Sequence, residues 1–277
     1  MTGNKTIIIH SKVSYGYVGS NTTSLVLQIG GYDVITVPTV LYSNHLGYTT
    51  VGGGGVSDVL FKDMLQGILK LNVLQEVSTI ITGFMGSEEQ VKLTVAFIKA
   101  IKEENPKIQY ICDPVMGDTD KGLYVNPEIP NVIIEYLIPL ADVLTPNQFE
   151  AERIIGNPIH FTDNIFQLLQ QQFDLSKHKI VITGCIVAME EKEYINNCII
   201  NNFSFKMIKS KKIDLHPPGT GELFTAHLHL SMLRGMSLEQ AVEVSGGILT
   251  ATLQKMQHEG RTEFELKDVL FSMKILK

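Results

Sequence analysis

HPPGTGELFTAHLHLSMLRG, residues 216–235, is the stretch on which the reading of this chain turns. Pro217 and Pro218 cannot continue a helix, and Gly219, Thr220 and Gly221 follow as a segment able to bend sharply. The spacing predicts a tight loop running directly into a helix from about Glu222. The first amides of such a helix lack intrahelical acceptors, and with the loop amides and the positive end of the dipole they form a site for an anion. Glu222 stands at its lip. A carboxylate is not the anion held there, so its chemical use is to accept a proton from a hydroxyl that attacks a phosphate on those amides. The alternative is a plain helix start in which Glu222 only complements the dipole, and the loop alone does not separate the two.

Outward from this segment, apolar runs alternate with helical patterns. Thr6–His10 is a β-branched run, followed by SKVSYGYVG (11–19) and a helical pattern through Leu25, Leu27 and Ile29. Asp33–Val40 predicts a second strand, with the polar-aromatic loop from Tyr42 to Tyr48 at its far end. Gly52–Gly55 carries no Walker lysine and reads as a flexible connection, a flap or a surface turn. Val59–Leu74 predicts an amphipathic helix, Ser78–Thr82 a buried strand, and Ser87 the cap of a further helix.

Ile108–Cys112 predicts a strand ending in DPVMGD, where Asp113 and Asp118 stand in a loop bent by proline and glycine. Two carboxylates at such a strand mouth are placed to meet hydrated Mg²⁺ and phosphates. After Asp142–Leu144 comes TPNQFEAE, in which Asn147 and Glu150 share one face of a helical first turn, an arrangement that by itself also reads as a cap. Lys179–Thr183 predicts a buried strand, and Tyr194–Ile200 with Phe203–Ile208 an edge hairpin. Ser237 caps a helix, and Thr262–Leu270 predicts a last one. Strands alternating with helices, with the chemically rich loops after strand ends, predict a mainly parallel sheet covered on both faces. No linker or repeat divides residues 1–277, which read as one domain.

Composition narrows the partners. Hydrophobic content of 44% suffices for a large core, and a net charge of −6, with no basic run beyond Lys209, Lys211 and Lys212, disfavours nucleic acid. The three cysteines are odd in number and lie in apolar runs, the pattern of free thiols in a reducing cytoplasm. No apolar run reaches the ~18 residues of a membrane span, and the start of the chain is too short in apolar residues for a signal peptide. A soluble, cytoplasmic protein with a small-molecule substrate is expected. His227 and His229, two apart on a helix, point to different faces and are not expected to share a metal, and Met85, Met116 and Met207 read as packing residues.

Four stretches, SKVSYGYVG, YSNHLGY, DPVMGD with TPNQFEAE, and GTGE, together resemble the pyridoxal/pyridoxine (vitamin B6) kinase family of the ribokinase-like superfamily. The similarity runs from Ile7 to about Leu253. It implies a three-layer α/β/α sandwich, a homodimer, and transfer of the ATP γ-phosphate to the 5′-hydroxymethyl group of B6 compounds with Mg²⁺ and often K⁺. Position by position, it puts the pyridine ring near Ser11, Val18, Ser43, Asn44, His45 and Phe84. Asp113, Asp118, Tyr124, Thr145, Asn147, Glu150, Thr183, Gly184 and Gly221 fall to ATP, and Asp113 and Glu150 also to the hydrated metal. Gly219, Thr220 and Gly221 become the anion hole and residue 222 the base.

Two positions depart from the family pattern. Aspartate is usual where Glu222 stands, and tyrosine is frequent where Phe84 stands. One extra methylene moves a carboxylate by roughly an ångström, in a reaction where that displacement costs ~10²-fold. Alternatives are a hydroxymethylpyrimidine kinase of the same fold, whose heterocycle is similar in size, and, on account of these two departures, a B6-binding protein impaired in catalysis.

Overall fold

Lys5–Val13, KTIIIHSKV, forms strand β1, in which Ile7 and Ile9 enter one apolar layer and Ile8 the other, all with no exposed surface. Fully burying each isoleucine stabilises by roughly 1.5–3 kcal/mol, so a strand apolar on both faces belongs at the centre of a covered sheet. The computed structural model describes residues 5–71, 73–159, 165–172, 174–186, 193–202 and 204–276. After β1 come α1 (Ser20–Ile29), β2 (Asp33–Tyr42), β3 (Gly53–Gly55), α2 (Asp58–Leu69), β4 (Val77–Thr82), α3 (Glu88–Glu104) and β5 (Gln109–Cys112). A small hairpin of β6 (Gly117–Asp118) and β7 (Gly122–Leu123) leads to α4 (Ile129–Val132), which continues as a π-helical and then a 3-10 turn to Leu140. β8 (Val143–Leu144), α5 (Gln148–Ile155), α6 (Ile165–Gln172), β9 (Lys179–Cys185), β10 (Tyr194–Asn201), β11 (Ser204–Lys211), α7 (Thr220–Leu233), α8 (Leu238–His258) and α9 (Leu266–Ile275) complete the chain.

Among the described residues nine strands form one sheet in the order β11-β10-β9-β8-β5-β4-β1-β2-β3. The six from β9 to β2 are parallel, while β10 and β11 at one edge and β3 at the other run antiparallel to their neighbours. One layer packs α2, α3, α4, α5 and α6 on the sheet through residues such as Phe61, Phe97, Ile133, Ile154 and Leu169. The opposite layer packs α1, α7, α8 and α9 through Leu27, Ala226, Ile248 and Val269. The expected three-layer α/β/α sandwich with a mainly parallel centre is the fold observed. Chain order reverses between β1 and β4, and such a reversal opens a crevice beyond the carboxyl ends of the strands.

Several local expectations change. The glycine run is not a loose connection: Gly53–Gly55 pairs with Val40–Tyr42 as edge strand β3. Gly53 has φ 95°, and a Cβ there would lie 2.1 Å from the Leu41 carbonyl oxygen, which is why glycine is needed. Helix α2 ends at Leu69 rather than Leu74, which instead opens a 3-10 turn. The last helix is displaced to Leu266–Ile275 because Glu265 and Asp268 form its capping box. Met207 lies partly exposed on edge strand β11 instead of in a core. The hairpin of β10 and β11 is as expected, with Phe203 outside the described residues.

Candidate active site at the carboxyl ends of the strands

Helix α7 begins two residues before the expected start, with Gly219 at its cap in the left-handed region, φ 96°. A Cβ on Gly219 would meet the Tyr17 carbonyl oxygen at 2.2 Å, so only glycine lets this turn press against the segment after β1. Thr220 Oγ1 donates to the Pro217 carbonyl at 2.6 Å and fixes the bend. The helix start has no side-chain cap, which leaves its first-turn amides without a side-chain acceptor.

Half-buried Glu222, in the same turn, points inward: its Oε1 accepts the Gly19 amide at 3.0 Å. Gly19, at φ 57°, is itself held tightly, since a Cβ there would lie 2.3 Å from Ser11 Oγ. Glu222 and Ser11 therefore flank one glycine, and the longer acid meets its amide partner across the crevice. Buried Val18 precedes it.

A second cluster grows from β5 and α5. Asp113, 7% exposed at the end of β5, accepts Thr225 Oγ1 at 3.0 Å, and the same hydroxyl lies 3.2 Å from Thr145 Oγ1. Glu150 is the third residue of α5 and forms a capping box with Asn147. Its Oε1 also accepts the Met116 amide at 2.9 Å, and the Asn147 side chain donates to the Gly117 carbonyl at 2.8 Å. The cap reading of Asn147 and Glu150 is thus correct, and the same bonds fasten α5 to the loop carrying Asp118.

Burial, then the charges of Glu150 and Glu222, push the Asp113 carboxyl well above its ordinary range. Burial lifts Glu150 to about 7 although backbone amides pull it down. No lysine or arginine among the described residues pairs with Asp113, Glu150 or Glu222. Three converging acids without a cation fit a divalent ion held through water. Direct ligation is a different matter, because among the described residues no three acidic, histidine or cysteine side chains are grouped to bind a metal.

Tyr124, just after β7, donates to Asp118, and burial together with that bond raises its phenol. Thr183 on β9 donates its amide to the Pro146 carbonyl at 2.8 Å, and Gly184 follows at φ 69°. Among the ring-side candidates, Phe84 is partly buried and packed on the core, its carbonyl accepting Thr39 Oγ1 at 2.7 Å. Ser43 and Asn44 brace their own loop through Gly52 N and Thr50 O, and His45 Nε2 meets Glu263 at 2.9 Å. The loop lies beside the segment after β1, with Tyr15 N donating to Ser43 O at 2.8 Å.

Sequence reasoning missed Thr225, although it lies three residues after Glu222 on one helix face. It also missed the Gly19 amide and Glu263, whose contacts depend on loops far apart in the chain. His227 and His229 are buried on different faces, bonded to Ser272 and Thr6 respectively, as the two-residue spacing implied.

The family model described as phosphomethylpyrimidine kinase matches residues 28–266. A pyridoxine/pyridoxal/pyridoxamine kinase of Bordetella avium is 33% identical over 247 residues, 89% of this chain and 83% of that protein. The pyridoxal kinase of Entamoeba histolytica with PLP superimposes with a TM-score of 0.84 at 26% identity, covering 100% of this chain and 96% of that one. At 24% identity, the Leishmania donovani pyridoxal kinase in complex with ADP and pyridoxine shares the fold, with a TM-score of 0.87 over 99% of this chain and 95% of that one. The chain belongs to the pyridoxal kinase family, on the ribokinase-like fold.

Proposed function

We propose that this protein transfers the γ-phosphate of ATP to the 5′-hydroxymethyl group of a B6 vitamer. The observation that carries the reading is the placement of the Glu222 carboxylate and the Ser11 hydroxyl on either side of Gly19. A ring seated on Ser11 presents its hydroxymethyl arm toward the acid and toward the first turn of α7. Glu222 accepts the hydroxyl proton while the amides of Gly219–Gly221 hold the phosphoryl group. Asp118 and Tyr124 sit on the ATP phosphates, and Thr145, Asn147, Thr183 and Gly184 along the nucleotide. Asp113 and Glu150 would hold hydrated Mg²⁺, which when bound spreads the charge developing on the phosphates. The family resemblance extends the reading to K⁺ as a second cation, and to a single-domain chain working as a cytoplasmic homodimer.

A hydroxymethylpyrimidine is the competing substrate, favoured by the description of the matching family model. The inward-facing Glu222 speaks against a merely binding protein. Incubation of the purified protein with MgATP and each of pyridoxal, pyridoxine, pyridoxamine and hydroxymethylpyrimidine, read by ADP release and by the absorbance of the phosphorylated vitamer, is expected to give turnover with the vitamers. Turnover with the pyrimidine alone, or with none of the four, overturns the proposal.

A further inference from the structure

Behind Ser11, at the point where strand order reverses, lies a buried imidazole with no part in the mechanism above. His10 is 2% exposed, and its Nε2 has no hydrogen-bond partner among the described residues. It sits where β1 breaks register against β2: His10 faces Pro38, Lys12 faces Leu41, and Ser11 falls at the irregularity. Such a bulge re-aims a side chain, here turning Ser11 back over the ring of its neighbour. Two glycines close round the pair. A Cβ on Gly83, just beyond β4, would lie 2.0 Å from His10 Nε2, and one on Gly19 would lie 3.1 Å from Nδ1.

The hydrogen bonds fix which way this imidazole is polarised. The Ser11 amide donates to Nδ1 at 2.8 Å, so the Nδ1 lone pair is the acceptor and the ring proton is on Nε2. Ser11 Oγ lies 3.1 Å from the same Nδ1. That nitrogen has one lone pair and no proton, so the hydroxyl meets it as a second, longer donor sharing the lone pair with the amide, and the Ser11 proton points to His10. What Ser11 turns toward the crevice is then its lone pairs.

We infer that His10 is a positioning residue that holds the Ser11 hydroxyl as a hydrogen-bond acceptor, and so makes the site select a substrate ring whose nitrogen carries a proton. The inference rests on the vitamer reading of the site, and it deepens that reading into a rule for specificity. A 3-hydroxypyridine passes its phenolic proton to the ring nitrogen in water, giving a zwitterion whose nitrogen donates to Ser11. An aminopyrimidine keeps bare ring nitrogens at neutral pH, and two acceptors then face each other in a buried place, which discriminates strongly. Burial lowers the His10 imidazole below its ordinary range, against a smaller raising influence of Glu222, and so keeps the ring neutral with Nδ1 able to accept.

Pyridoxine offers a direct probe, because its zwitterion absorbs at longer wavelength than its neutral form. Titrated with the protein in the absence of ATP, bound pyridoxine is expected to keep the zwitterion band. His10→Leu removes the acceptor and frees Ser11 to donate, so the band moves toward the neutral form. The kcat/KM preference for pyridoxine over an analogue lacking the 3-hydroxyl then falls by about tenfold. His10→Gln, whose amide oxygen can accept both bonds, restores band and preference. A neutral band on the wild-type protein overturns the inference while leaving vitamer phosphorylation intact, and this spectrum decides the matter even if the leucine variant does not fold. An unchanged band and preference in a folded His10→Leu protein overturns it as well. A wild-type protein that binds and phosphorylates no vitamer defeats the proposed function, and this inference with it.

Discussion

Two groups of buried acids in this molecule are treated in opposite ways. Asp268, at the start of α9, has no exposed side-chain surface, yet Arg261 grips it with two bonds of 2.5 and 2.7 Å and Lys255 adds a third of 2.9 Å. Burial pushes its carboxyl up, but those bonds prevail and bring it to about 2. Asp113 and Glu150 are buried to a similar degree, have only hydroxyl and amide donors, and are pushed up. A carboxylate that joins two parts of a fold is given its counter-charge by the protein. Acids left without a counter-charge are pushed up by burial, and this is what the proposed place of Asp113 and Glu150 beside a hydrated cation would require.

The sharpest way to break this contrast is to alter the third acid of the unpaired group. Glu222→Gln is expected to lower kcat by about 10³-fold with an unchanged unfolding midpoint, measured by coupled ADP release and thermal melting. A stable variant with undiminished turnover would remove Glu222 from the chemistry. The mirror experiment is Asp268→Asn, which leaves Arg261 and Lys255 without their shared acceptor. It is expected to cost about 3 kcal/mol in denaturant unfolding while the folded fraction keeps its kcat; a loss below about 1 kcal/mol would show that the ionic cluster is ornamental.

The smallest effect is in pH dependence. The Glu150 carboxyl rises on folding from 4.5 to about 7, so the folded chain binds the proton more tightly than the unfolded one. That contribution is fully present below the unfolded value and disappears as pH rises through the folded one. Without divalent metal, stability is expected to fall by on the order of 2 kcal/mol between about pH 5 and pH 8, and added Mg²⁺ or Glu150→Gln should flatten the slope. A metal-free protein whose stability is constant over this range would show that the two groups of acids do not differ.

The sequence carried what depends on side-chain periodicity and local capping. The β-branched run from Thr6 to His10 announced a strand, and Asn147 with Glu150 announced the start of α5. It did not carry contacts made by backbone atoms or across the crevice. Glycines 53–55 have no side chains to alternate, so β3 left no pattern. The amide of Gly19, which meets Glu222, has no signature of its own. His10 looked like the polar end of an apolar run, because only the register break and the neighbouring Gly83 reveal what surrounds it. The displaced final helix is the exception among the caps, because its box starts from Glu265 rather than from a serine, threonine, aspartate or asparagine, and Asp268 is also held by Arg261 and Lys255.

The hydrogen bond between His45 and Glu263 joins residues 218 positions apart. One belongs to the loop after β2, the other to the turn between α8 and α9. This one contact couples the two loops, so a displacement of either must be followed by the other or must cost the bond between them.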